Sequence, residues 1–190
     1  GTPEFDIFIK ECRREMVTKA GQKCTAIRRI IVPEMMLNEV KDALAKELAK
    51  TVIGDPSAEG VRMGALINRG QMARVREHLD MLIQETPIVF GDPEQFETVG
   101  ASREKGAFMP PILLLNDSPF SKTLSHETEC FGPISTLMPY SSLENAIELA
   151  NMGKGSLVST ICTHDPKIMR EYVLEAGAFH GRIHILNRSS

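Results

Sequence analysis

The chain has no tryptophan and only two tyrosines among its 190 residues, and its formal charge of −3 comes with no basic block. That combination excludes an aromatic and basic platform on which nucleic-acid bases could stack, so nucleic acid is not expected as a partner. Long hydrophobic runs are missing too. The longest, FMPPILLL at 108–115, is interrupted by two prolines and falls far below the ~20 residues that cross a bilayer. The opening residues GTPEFDIF lack the basic and apolar regions of a signal peptide. No membrane partner is expected, and a reducing cytoplasm is the expected compartment. The four cysteines, Cys12, Cys24, Cys130 and Cys162, are widely separated and form no CxxC pair, which speaks against a zinc site or a disulfide framework. Cys12 and Cys162 read as small core residues. No GxGxxG, Walker loop or GxSxG elbow occurs.

What is present is ordinary globular composition, 42% hydrophobic and 25% charged, enough for one well-buried domain over residues 1–190. Apolar residues three or four apart predict three amphipathic helices: Phe5, Phe8, Ile9, Cys12 and Met16; Leu37, Val40, Leu44 and Leu48; Met72, Val75, Leu79 and Leu82. Ser141 with Glu144 predicts a capped helix, and Asp165-Pro166 starts another that Gly177 can close, with Ile168, Met169, Tyr172 and Val173 inward. Six β-rich runs alternate with them, at 28–32, 87–91, 111–116, 134–140, 156–162 and 182–186. Their near-continuous apolar character predicts an α/β fold with one open, largely parallel sheet flanked by helices on both faces. The polar segment 92–106 reads as a surface loop or hairpin insertion. The abrupt start and stop lead to the expectation that the chain is a piece of something longer.

Two stretches could carry chemistry. In AGQKCTA, residues 20–26, Gly21 permits a tight backbone path and the small residues Thr25 and Ala26 leave space around the Cys24 sulfur. Such a cysteine is either a nucleophile or a buried structural residue. In ETECFGPI, residues 127–134, two carboxylates precede a Phe-Gly-Pro turn that feeds a strand. A loop carboxylate at the end of an α/β strand can accept both hydroxyls of a ribose, or can simply be solvated. His126 beside it is a general-base candidate, though a lone loop histidine more often faces solvent. His180 and His184, four apart on a strand, are badly placed to share a metal, and no metal site is expected.

Taken together, GQKC ending at Cys24 and ECFGP beginning at Glu129 resemble the catalytic-domain half of an aldehyde dehydrogenase. Further matching features are IGDP at 53–56, MGALI at 63–67, PPILL, AIELAN at 146–151, TICTHD at 160–165 and GRIHILN. The resemblance covers nearly the whole chain. It implies that Cys24 attacks an aldehyde, that the thiohemiacetal gives up hydride to a nicotinamide (NADP or NAD), and that the thioester is then hydrolysed. Sulfur suits both halves, since a thiolate is strongly nucleophilic and also leaves readily. By the same resemblance the Cys24 main-chain N–H supplies half of an oxyanion hole, Glu129 binds the nicotinamide ribose, and Phe131 packs beside the nicotinamide end. Gln71 falls where the family approaches the same ribose with Gln-x-x-Lys, which makes it a third cofactor-binding candidate, but here the basic residue is Arg74.

The resemblance also implies what is missing: the nucleotide-binding domain, the general-base glutamate, the asparagine that completes the oxyanion hole, and the C-terminal oligomerisation strand. The fragment is therefore expected to be inactive and not to hold the cofactor tightly, while the full-length parent is expected to be a homo-oligomer. KAGQKCTAIRRIIVP and the extra residues AFH before the last strand are similar to the dehydrogenase half of bifunctional ring-opening proteins of bacterial phenylacetate degradation, in which the aldehyde is an open-chain acyl-CoA semialdehyde. A CoA-acylating dehydrogenase and a non-catalytic assembly domain are the alternatives that the sequence leaves open.

Overall fold

The computed structural model describes residues 2–190; Gly1, the first residue of the expected domain, lies outside them. Helix α1 (Pro3–Val17) starts where the Thr2 hydroxyl accepts the Phe5 N–H at 3.3 Å, with a proline at its first position and Glu4 and Asp6 in its first turn. It buries Ile9, Cys12 and Met16, the expected stripe. Helix α2 (Leu37–Leu48) buries Val40, Leu44 and Leu48, and α3 (Arg69–Leu82), capped by Asn68, buries Val75, Leu79 and Leu82. A short helix α4 (Leu124–Glu127) lies where only a loop is expected. Helices α5 (Leu143–Asn151) and α6 (Pro166–Ala176) follow.

The cap of α5 is Ser142, not Ser141. Ser142 is the residue with extended backbone, and its hydroxyl accepts the Asn145 N–H at 3.2 Å; Ser141 instead meets the Asn145 side chain at 2.5 Å. Asp165 caps α6 as expected. The inward face of α6 is narrower than its apolar residues suggest: Tyr172 and Ala176 are buried, whereas Ile168 and Val173 stay 36% and 40% exposed.

All six expected strands form: β1 (Arg29–Pro33), β2 (Ile88–Phe90), β3 (Ile112–Leu115), β4 (Ile134–Tyr140), β5 (Ser159–Cys162) and β6 (Ile183–Leu186). They do not make one sheet. A four-stranded sheet has the order β1-β4-β3-β2, parallel except that β2 runs antiparallel to β3, and β5 and β6 pair separately and in parallel. Segment 92–106 is a loop and not a hairpin, closed by Asp92 accepting the Glu94 and Gln95 amides and by Arg103 stacked on Phe96.

The two faces of β1 belong to different cores. Ile30 and Val32 enter the main cluster with Ile9, Cys12 and Met16 of α1 and Val40 and Leu44 of α2. Ile31 points the other way, into a smaller cluster under α5 and α6 that also takes in Ile161 of β5 and Ile183 of β6. The layers are therefore α1 and α2 on one side and α5 and α6 on the other. The fold is α/β with mainly parallel strands, as the sequence predicts.

Candidate active site around Cys24 and Glu129

Between α1 and β1 the chain makes a tight turn, Thr18–Gly21, in which Lys19 (φ 53) and Ala20 (φ 51) are left-handed and Gly21 has φ +70. A β carbon on Gly21 would overlap the Gly132 carbonyl, so only glycine lets this turn lie directly against Gly132-Pro133. The cysteine stretch and the glutamate stretch, remote in sequence, thus meet backbone to backbone. Gln22 fixes the approach from the other side: its Nε2 donates to the Lys19 carbonyl at 3.0 Å, and its Oε1 accepts the Ile67 N–H at 2.9 Å. The Ala26 N–H closes a turn on the Lys23 carbonyl at 3.0 Å, with Cys24 at its apex, and Lys23 pairs with Glu15 at 2.7 Å.

Cys24 is the exposed cysteine of the four. Burial pushes the Cys130 thiol up to about 12 and the Cys12 thiol up further, and the half-buried Cys162 thiol is also raised, its Sγ donating to the Glu4 carbonyl at 3.2 Å. These three thiols are held in their neutral form at physiological pH.

Glu129 is exposed, and it lines the same cleft as Cys24, a space of about 720 Å³. Among the described residues its carboxylate makes no ion pair. Phe131 is held at φ 52 and left 41% exposed. Gln71, in the first turn of α3, donates from Nε2 to the Phe131 carbonyl at 3.0 Å, and a β carbon on Gly132 would press on Val75, so the loop lies flat on α3. Of the expected site residues, Cys24 and Glu129 share a cleft, while Gln71 meets Phe131 through its backbone. Arg74 is exposed.

His126 corrects a sequence expectation. It is 3% exposed rather than solvent-facing: Arg29 donates to its Nδ1 at 3.0 Å, so the proton sits on Nε2 and is given to the Pro119 carbonyl at 2.8 Å. Burial, chiefly, lowers its pKa, which leaves it a neutral structural link and not a base. Arg29 also donates to the Leu149 carbonyl at 2.6 Å and the Ala150 carbonyl at 2.9 Å, gripping the last turn of α5. Sequence reasoning missed both Arg29 and Gln22. A charged residue at the head of an otherwise apolar strand was the available signal for the first; nothing local marks the second. Among the described residues no three His, Cys, Asp or Glu side chains gather as metal ligands, and no helix is long and apolar enough to cross a membrane.

A model of the aldehyde dehydrogenase family matches residues 3–185. The 3,4-dehydroadipyl-CoA semialdehyde dehydrogenase of Aromatoleum evansii is 41% identical over 187 residues, covering 98% of this chain and 36% of that protein. Protein MaoC of Klebsiella aerogenes is 39% identical over 129 residues, 67% of this chain and 37% of its own length. The chain thus spans little more than a third of the curated relatives it matches. Among solved structures, betaine aldehyde dehydrogenase of Staphylococcus aureus with NAD+ superposes with a TM-score of 0.85 at 21% identity, covering 95% of this chain and 35% of that one. Aldehyde dehydrogenase C of Pseudomonas syringae, with NAD+ and octanal, gives 0.80 at 24% identity, 94% and 36% covered. At those identities the structural likeness speaks for the fold alone.

Proposed function

This chain belongs to the aldehyde dehydrogenase family, and from that premise we propose that it is the part of an NAD(P)-dependent aldehyde dehydrogenase that carries the nucleophile, Cys24. The observation that carries the reading is the contrast in exposure among the four thiols: Cys12 and Cys130 are buried and Cys162 half-buried, all three with their ionisation suppressed, while Cys24 is exposed at the apex of a turn that borders the cleft lined by Glu129. A nucleophile has to be reachable, and Cys24 alone of the four is exposed.

The proposed chemistry begins with the Cys24 sulfur adding to the aldehyde carbon, the carbonyl oxygen becoming the oxyanion of a thiohemiacetal. The Cys24 N–H donates to that oxygen. A nicotinamide, when bound, would supply the hydride acceptor for this carbon, and Cys24 would hold the resulting thioester until water cleaves it to the carboxylate. The residues present fit such a cofactor in a specific way. Glu129 offers two unpaired carboxylate oxygens, suited to the two hydroxyls of a ribose. Phe131 offers an exposed aromatic ring, and Gln71 holds the Phe131 backbone so that the loop keeps its path. The substrate proposed is an open-chain acyl-CoA semialdehyde of aromatic catabolism. Its support is the 41% identity to an enzyme whose name gives a CoA-linked semialdehyde as substrate. The same longer polypeptide is proposed to be a cytoplasmic homo-oligomer, and the 190-residue chain alone to be inactive.

Alkylation with iodoacetamide at neutral pH, read by mass spectrometry, tests the carrying observation. Cys24 is expected to be modified at least about tenfold faster than Cys12, Cys130 or Cys162 in the native chain, with the difference vanishing in denaturant. Equal native rates, or faster labelling of any of the other three, contradict a nucleophile at Cys24.

A further inference from the structure

Three segments meet around Cys24 and Glu129: the turn 18–24, the loop 129–133 and the start of α3 at 67–71. Each pair of them touches at a defined point. Gly21 of the turn lies against the Gly132 carbonyl of the loop, a contact that a β carbon would prevent. Gln71 of α3 donates from Nε2 to the Phe131 carbonyl at 3.0 Å. The ring is closed by Gln22, whose Oε1 accepts the Ile67 N–H at 2.9 Å across 45 positions of chain.

Gln22 stands two residues before Cys24, and both ends of its side chain are used. The Lys19 carbonyl accepts the Gln22 backbone N–H at 3.1 Å and its Nε2 at 3.0 Å. Lys19 and Ala20 are consecutive left-handed residues, a conformation that a β carbon disfavours and that persists only where the surroundings hold it. The donor end of Gln22 therefore holds the turn, and the acceptor end ties the held turn to α3. A side-chain amide offers a donor and an acceptor pointing apart, and glutamine is the longer of the two residues that have one.

The far side of the link is itself anchored. Leu66 is buried, and its N–H donates to the Ala107 carbonyl at 2.9 Å. Asn68 caps α3 by accepting the Gln71 N–H at 2.8 Å. Ile67 between them is 78% exposed, so its side chain packs little and its backbone N–H is what the position offers to the turn.

We propose that Gln22 is a positioning residue: it sets the Cys24 turn in register with the start of α3, which also holds the Phe131 loop, and so fixes where the sulfur stands relative to the hydride acceptor. The proposal rests on Cys24 being the nucleophile. Gln22 is uncharged and hydrogen-bonds to neither Cys24 nor Glu129, so replacing it leaves both groups chemically unchanged. Group transfer is far more sensitive than binding to a small misplacement of the reacting atoms, so a loosened turn costs rate before it costs affinity.

Kinetics of the longer enzyme, with amide exchange in the 190-residue chain, test the role. Gln22→Met keeps the volume and loses both side-chain hydrogen bonds; Gln22→Asn keeps the amide and lacks the reach. In each, single-turnover hydride transfer at saturating cofactor is expected to slow about three- to tenfold while the cofactor KM stays within about twofold. The Ile67 amide should exchange about tenfold faster, with the Leu66 amide unchanged. Hydride transfer within about twofold of the parent in both variants overturns the positioning role, and so does a raised cofactor KM at an unaltered rate. Faster exchange at Leu66 as well as Ile67 makes Gln22 a general support of the fold and overturns it too. Cys24→Ala, measured alongside, separates the two readings. Oxidation that persists in that variant overturns the nucleophile and the positioning role together, whereas an inactive Cys24→Ala beside an unimpaired Gln22→Met overturns the positioning role alone.

Discussion

Gly21 and Glu129 illustrate how differently single residues report themselves. A glycine ahead of a cysteine permits a turn, but its reason becomes visible only with Gly132 pressed against it, a contact between segments more than a hundred positions apart in the chain. Cys24 and Glu129 were legible as parts of two motifs whose meaning came from resemblance, whereas His126 was misread because its surroundings, Arg29 and the Pro119 carbonyl, are assembled by the fold. The proposal for Glu129 makes a prediction at this scale. In the longer enzyme, Glu129→Gln removes the charge-assisted part of two hydrogen bonds to a ribose, about 1–3 kcal/mol, and should slow single-turnover hydride transfer about ten- to a hundredfold. Glu127 is exposed two residues earlier, and Glu127→Gln should leave the rate within about twofold. A larger effect at Glu127, or no effect at either, contradicts the assignment.

Elements were legible where period and punctuation agree. The stripes of α1, α2 and α3 have apolar residues on a helical repeat between recognisable caps, and burial follows them. The division into two sheets was not legible, because apolar runs report burial but not which edges pair. Helix α4, a single turn, has no stripe to show, and the shift of the α5 cap by one serine lies within the ambiguity of adjacent capping residues. A contact between remote elements gives the second prediction. Arg188, beyond β6, grips Glu4 of α1 through both carboxylate oxygens, each at 2.7 Å, and holds that carboxyl at about 2 against an ordinary 4.5. A carboxyl lowered by folding stabilises the protein above its unfolded pKa, and that contribution fades as pH falls from about 4.5 to about 2. Glu4→Gln should therefore flatten the fall of Tm with pH across that window, measured by calorimetry, and Arg188→Gln should do the same. An unchanged acid limb in both variants contradicts the role given to this pair.

At the scale of the molecule, fold and proposed chemistry meet in one statement: β1 and its preceding turn present Cys24, the loop before β4 presents Glu129, and α3 holds that loop through Gln71. Hydride transfer needs a nicotinamide held in contact with the thiohemiacetal, and on the proposed reading the bulk of that binding is made by chain outside these residues. The purified 190-residue chain should therefore form no measurable NADH or NADPH with aldehyde; formation of either contradicts the view that it is one part of a working enzyme. The most direct test of the central claim uses the longer enzyme, mixed with aldehyde and NADP or NAD, acid-quenched within the first turnover and digested for mass spectrometry. An acyl group in thioester linkage on the peptide containing Cys24, absent from Cys24→Ala, is the predicted result. An adduct on Cys12, Cys130 or Cys162, or aldehyde oxidation that persists in Cys24→Ala, would contradict it.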